Sequence, residues 1–148
     1  MTVNARVTDR ASAQALIERA LSDPRQEFGS FFLSRLLGLR ISYEKERCIV
    51  EFEASPAFFN PQGSLHGGIL ATAMDISMGH LLHHVDAAGA TLTMTIQYLA
   101  PVTSGTVRCV ASFLRHGRSI SALQSEVFGP DGDRIAHATS TWKRRPGK

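Results

Sequence analysis

The sequence predicts an α+β layer structure in which one long helix lies against one antiparallel sheet. Two observations carry this. Residues 66 to 85 form a single long apolar stretch with helical spacing. After Gly89 the pattern changes to a two-residue alternation that continues to Trp142, broken only by short turn signals. Strands joined by short turns pair antiparallel with their neighbours in sequence, so the expectation is a meander of about five to six strands. One face of that sheet then needs the helix to cover it.

The elements follow in chain order. Residues 1 to 8 are expected to be loose. Residues 9 to 21 form a helix capped by Asp9 or Ser12, with Leu16, Ile17, Ala20 and Leu21 on one side. Asp23-Pro24 ends it. Phe28 to Leu39, rich in Phe and Leu, reads as a short helix or a lid. A strand near Leu39 to Tyr43 and a turn at Glu44-Lys45-Glu46 lead into a strand from Arg47 to Glu53, where Cys48, Val50 and Phe52 alternate with Arg47, Glu51 and Glu53. Asn60 to Leu65 is a loop. In the β run, Leu92, Met94, Ile96 and Tyr98 alternate with Thr91, Thr93, Thr95 and Gln97. Pro101 and Gly105 bracket a connection, and Val107, Cys109, Ala111 and Phe113 alternate next. Arg115-His116-Gly117-Arg118 is a tight turn, Ile120 to Phe128 a strand, Gly129-Pro130-Asp131-Gly132 a hairpin turn and Arg134 to Trp142 the last strand.

At 148 residues the chain is expected to be one domain, with a helical extension over 1–38, a core over 39–143 and a basic tail over 144–148. An apolar fraction of 43% supports a core without disulfides or metal. The two cysteines, Cys48 and Cys109, sit in strand-like apolar context and read as buried free thiols. A net charge of +3 suits a small anionic ligand and falls far short of a nucleic-acid-binding face. No run of 18 apolar residues exists, and Met1 to Arg6 lacks the apolar core of a secretion signal. The expectation is a cytoplasmic protein that engages neither membrane nor nucleic acid.

Chemistry concentrates between Asn60 and Asp75. The helix opens on Gly67-Gly68, which are poor helix formers, so something else wants the backbone bare there. A bare helix start can bind an anion or a developing oxyanion. Asp75 is a lone carboxylate in an apolar stretch, which is costly without a task or a partner, and only Thr72 and Ser77 stand close in sequence. Asp75 lies nine residues after His66, about 2.5 turns and roughly 13.5 Å along a helix. The two point to nearly opposite sides and cannot meet in one chain. A second copy of the helix, antiparallel across a two-fold axis, would bring the glycine end and the carboxylate together twice.

The other polar and aromatic residues leave more than one reading open. His66 is a cap or a site residue, and Asn60 a turn residue or a site residue. His80, His83 and His84 have a spacing that can hold a metal. They lack the carboxylate of a zinc motif and read instead as a polar helix end with Asp86 for company, so no metal is expected. Phe28, Phe31, Phe32, Phe58 and Phe59 are core residues or pocket lining, with Phe58 and Phe59 favoured because they precede Asn60 directly. Arg115, His116 and Arg118 are an exposed basic turn or a phosphate contact.

Asn60, then His66-Gly67-Gly68, then Asp75 resembles the pattern of the hotdog-fold acyl-CoA thioesterases, specifically the phenylacetate-pathway and hydroxyphenylacyl-CoA type. The resemblance extends to Thr91 to Pro101, which ends in Tyr98-Leu99-Ala100-Pro101, to Gly117-Arg118 and to Asp131-Gly132, and covers roughly residues 39 to 143. It implies a hotdog fold, in which the sheet wraps a central helix. It implies hydrolysis of an acyl- or aryl-CoA thioester to free acid and coenzyme A, with no cofactor. Asp75 would be general base or nucleophile, and the Gly67 N–H would polarise the carbonyl. Asn60 and His66 would shape that end of the site beside Gly68, and Thr91 would place a hydroxyl near the attacking water. Arg115, His116 and Arg118 would meet the phosphates of coenzyme A, with Phe58 and Phe59 near the acyl group. Each site would join Asp75 of one chain to Asn60, His66 and Gly67 of another, in a homodimer or a tetramer of such pairs. The competing readings are a hotdog module that binds acyl-CoA without turnover, and a hotdog dehydratase or hydratase.

Overall fold

Alternation on the strands decides which face of the sheet is covered. The computed structural model describes residues 8–85 and 88–145. Its strands are β1 (Arg40–Glu44), β2 (Arg47–Glu53), β3 (Gly89–Tyr98), β4 (Thr106–Arg115), β5 (Ile120–Phe128) and β6 (Arg134–Arg144). All pairings are antiparallel, in the order β1-β2-β4-β5-β6-β3. Val50 and Phe52 of β2, Val107 and Cys109 of β4, Leu123 and Val127 of β5 and Ala136 and Ala138 of β6 all turn to one face and are buried. There they meet Met74, Met78, Leu81 and Leu82 of the long helix α3 (Gly67–Val85). Truncating any of these large apolar side chains to alanine costs about 2–5 kcal/mol. Small residues let the sheet curl close around the helix. Ser77 Oγ and Ser125 Oγ lie 2.9 Å apart, and a side-chain carbon on Gly79 would stand 2.9 Å from the Trp142 ring.

Strand order corrects the expected meander. β4-β5-β6 follow one another as short turns demand, but β3 pairs with β6 at the far edge and β4 pairs with β2. Residues 99 to 105 therefore cross the end of the sheet instead of making a hairpin. Leu99 N–H and Ala100 N–H both donate to Ile135 O, and Leu65 N–H donates to Val102 O. This connection carries the chain past two strands and leaves β3 bonded to the sheet on one side only.

The N-terminal segment is α1 (Arg10–Leu21) and α2 (Phe32–Leu37). Asp9 caps α1, accepting from Ser12 N–H at 2.8 Å. Two arginines tie the helices together: Arg19 donates to Arg35 O and Leu36 O, and Arg35 Nε donates to Ala20 O. Of the apolar side expected for α1, Ala20 is buried, whereas Ile17 and Leu21 are exposed.

This segment reaches the core through the histidines of α3. Gly29 N–H donates to His80 Nε2 at 3.0 Å, and His80 Nδ1–H donates to Ile76 O at 3.0 Å. Phe28 stacks on His83, while Tyr43 stacks on His84. The three side chains thus meet different surroundings, with Phe28 shared by His80 and His83, and His80 is 4% exposed, so it is not part of a polar helix end. Asp86, its expected companion, lies outside the described residues.

Burial pushes the His80 pKa below the usual 6.5, and His83 nearby lowers it further. Protonation would put a proton on Nε2 against the Gly29 N–H. Because the native pKa is depressed, the neutral ring's contribution is complete above about 6.5 and is lost as pH falls through the native value. Amide-exchange protection at Gly29, corrected for intrinsic rates, should therefore fall between about pH 7 and about pH 5. His80→Phe should leave Gly29 unprotected at both.

Candidate active site

The head of α3 is built by the loop before it. Asn60 Oδ1 accepts from Gln62 N–H at 2.9 Å and Ser64 N–H at 3.3 Å, and Asn60 Nδ2 donates to Ser64 Oγ at 3.1 Å. Asn60 thus shapes the turn, which Gly63 completes with a φ of 85°. His66 N–H donates to Phe58 O, which fixes the entry of the chain into the helix. His66 Nδ1 accepts from Gly68 N–H at 2.9 Å, so the imidazole caps the helix. A backbone N–H can only donate, so Nδ1 is unprotonated and the neutral ring carries its proton on Nε2. The Gly67 N–H meets no acceptor among the described residues. It opens beside a cleft of about 320 Å³ lined by Asn60, Leu65, Gly67, Leu70, Tyr98 and Pro101. Tyr98 Oη donates to Gly67 O at 2.8 Å.

Asp75 sits two turns further along α3. Thr91 Oγ1 donates to Asp75 Oδ1 at 2.8 Å. Burial raises the pKa of this carboxyl, and the Thr91 bond opposes the rise. No cation pairs with it among the described residues.

A β-bulge makes the Asp75–Thr91 contact possible. Thr91 pairs with Trp142 and Thr93 with Thr141, so Leu92 is the extra residue. Met94, Ile96 and Tyr98 face α3, as the alternation predicts. Without the bulge Leu92 would join them and Thr91 would face away. Instead Leu92 is 54% exposed and Thr91 turns towards Asp75. This corrects the alternation read from the sequence over Thr91 and Leu92.

The expected site residues therefore fall into two groups. Asn60, His66, Gly67 and Gly68 stand at one end of β3 beside Tyr98, and Asp75 stands at the other end beside Thr91. Asp75 lies eight positions along the helix from Gly67, about 12 Å of rise. Both groups lie against a strand whose outer edge has no neighbour in the sheet.

The sequence matches the Thioesterase superfamily over residues 62–136. The chain belongs to that superfamily. A Saccharolobus solfataricus protein, named provisionally as an esterase, is 32% identical over 104 residues, covering 69% of this chain and 74% of that one. The medium/long-chain acyl-CoA thioesterase YigI of Salmonella typhimurium is 27% identical over 129 residues, covering 74% of this chain and 83% of that one. The structure of the Escherichia coli PaaI protein, from the phenylacetic acid degradation operon, overlays with a TM-score of 0.78 at 19% identity, covering 90% of this chain and 98% of that one. The protein is a thioester hydrolase with the hotdog fold.

Of the other candidate residues of this thioesterase, Phe58 and Phe59 adjoin the first group and the rest lie away from both. Phe58 and Phe59 are half-buried against the core, beneath the Asn60 loop. Phe28 and Phe31 line a separate recess with His80. Arg115, His116 and Arg118 lie in and beside the β4–β5 connection, at a recess of about 400 Å³ lined by Arg115, Gly117, Arg118 and Ser119. Arg144 Nη1 donates to Gly117 O and Arg118 O and holds that connection in shape. At Gly117 a side-chain carbon would fall 1.9 Å from Ile120 O, so only glycine fits. Tyr98 was legible as one of four alternating apolar positions and as part of the stretch that carries the resemblance, but nothing local marked its bond to Gly67.

The raised Asp75 pKa has a stability consequence. A carboxyl whose native pKa lies above its unfolded value stabilises when protonated, and that contribution is lost as pH rises through the native pKa. At neutral pH the ion is a liability in this fold. Asp75→Asn should raise the melting temperature by a few degrees at about pH 7 and by less at about pH 4.

Proposed function

We propose that this thioesterase hydrolyses an acyl-CoA to free acid and coenzyme A, with Asp75 as general base or nucleophile and the Gly67 N–H polarising the carbonyl. The observation that carries the reading is a pair of groups along one strand edge that, among the described residues, lack a charged or polar partner suited to them: a half-buried carboxylate held by a threonine and no cation, and a helix-start N–H with no acceptor. YigI, named as an acyl-CoA thioesterase, supports the substrate class.

As a general base, Asp75 takes a proton from water while the water oxygen attacks the thioester carbonyl carbon. As a nucleophile, its oxygen attacks directly and water then cleaves the resulting anhydride. In either case the carbonyl oxygen gains charge opposite the Gly67 N–H, the C–S bond breaks, and the coenzyme A sulfur leaves and is protonated. Thr91 keeps the carboxylate aimed and its pKa in check. His66 Nε2–H is a neutral donor beside Gly68, and Asn60 holds the loop that presents both. Arg115, His116 and Arg118 receive the phosphates of coenzyme A, and Phe58 and Phe59 back the acyl end.

One chain holds the two groups too far apart for one thioester. A two-fold axis through the outer edge of β3 at Thr95 would, with Leu92 as the extra residue, set Thr91 of one chain opposite Tyr98 of the other. The Asp75–Thr91 pair would then face the partner's helix head, and a homodimer would carry two sites.

Thiol release should be followed across a panel running from acetyl-CoA to palmitoyl-CoA, with phenylacetyl-CoA and benzoyl-CoA included. Wild type should hydrolyse at least one class. Asp75→Ala should lose roughly 10²–10⁴ in kcat with its fold intact. Full turnover by pure Asp75→Ala, or tight acyl-CoA binding without product, would refute the assignment.

A further inference from the structure

The Gly67–Gly68 peptide is gripped at both ends. Its carbonyl accepts from Tyr98 Oη at 2.8 Å, and its N–H donates to His66 Nδ1 at 2.9 Å. The preceding peptide is held on its carbonyl side, where His66 O accepts from Ile69 N–H at 3.0 Å and Leu70 N–H at 3.3 Å. What remains uncommitted among the described residues is the Gly67 N–H. Glycine is the residue least able to fix its own backbone. The direction of that N–H is therefore set by whatever holds the peptides on either side.

Tyr98 supplies the grip that comes from another element. Its ring lies flush against Gly67, where a side-chain carbon would stand 3.2 Å from Tyr98 Cζ. The relation is reciprocal: the bare glycine admits the ring, and the ring's hydroxyl anchors the glycine to the end of β3. Tyr98 is 52% exposed, so filling the core does not account for it. It also walls the cleft that Gly67 lines.

We propose that Tyr98 is a positioning residue for thioester hydrolysis: its hydroxyl fixes the Gly67–Gly68 peptide and so aims the Gly67 N–H at the carbonyl under attack. The inference rests on the role assigned above to that N–H. Tyr98 acts through Gly67 and takes no proton in the reaction.

Tyr98→Phe keeps the ring and removes only the hydroxyl. Misaiming a preorganised donor costs less than deleting one, so kcat should fall about tenfold while KM stays within about twofold. Melting temperature should change little. A ketone analogue of the best acyl-CoA, with CH2 in place of sulfur, gives a second readout. Its carbonyl stretch should shift to lower frequency on binding wild type and shift less on binding Tyr98→Phe. A purely structural tyrosine would lower the melting temperature and leave kcat and the carbonyl shift unchanged, and that result would overturn the inference. Wild-type turnover with an unaltered Tyr98→Phe kcat overturns the Tyr98 role alone. A wild type that releases no thiol from any acyl-CoA overturns the acyl-CoA assignment and this inference together.

Discussion

One constraint organises this molecule: α3 lies along the sheet's edge strand β3 and is tied to it at two points. At one, Tyr98 holds the helix head by the Gly67 carbonyl. At the other, Thr91 holds the Asp75 carboxylate. Between them the helix rests on Met94 and Ile96, which are part of the apolar packing around the core. Because β3 pairs with β6 on one side only, both tie points stand at an open sheet edge. The two chemically distinctive groups thus share a strand without sharing a site. Under the proposed function a single subunit would offer the halves and a two-fold relation the wholes.

The fold accepts local penalties at both halves. A Gly-Gly helix start is about 1 kcal/mol per residue less favourable than alanine. Here the imidazole of His66 caps the helix and the Tyr98 hydroxyl restores some of the lost order. Asp75 is a carboxylate on a largely apolar helix, with a threonine instead of a cation for company. A cation would have stabilised the ion more and depressed its pKa, which would weaken it as a base. The bulge at Leu92 is a third such departure, since it breaks regular pairing to aim Thr91 at the carboxylate. All three departures from local rules lie along one edge strand, two of them at its Thr91 end and one at its Tyr98 end.

Much of the architecture was legible because it is local. Period-two alternation marked β2, β4, β5 and β6 close to their observed bounds. The apolar run after Gly67-Gly68 marked α3, and Asp9 marked the start of α1. The position of β3 was not legible, because local pattern does not encode pairing between strands that are not consecutive. Nor was the bulge, since Thr91-Leu92-Thr93 reads as unbroken alternation whichever way Thr91 turns. His80 looked like one of three exposed histidines because the residues that bury it, Phe28 and Phe31, come from some fifty positions earlier. At the candidate site, Gly67 and Asp75 stood out because each is the wrong residue type for its surroundings. Tyr98 did not, because a tyrosine on a strand needs no explanation until its partner is seen.

The claim that each reaction centre spans two chains is tested most directly by mixing two inactive variants. Asp75→Ala retains an intact helix head, and Gly67→Val retains an intact carboxylate. Unfolded together and refolded as a mixture, half of all pairs would be mixed, and each mixed pair would contain one complete site. Thiol release should return to about a quarter of the wild-type rate, although neither variant alone is active. Recovery of no activity, from a mixture whose mixed pairs are verified by mass, would contradict the shared site.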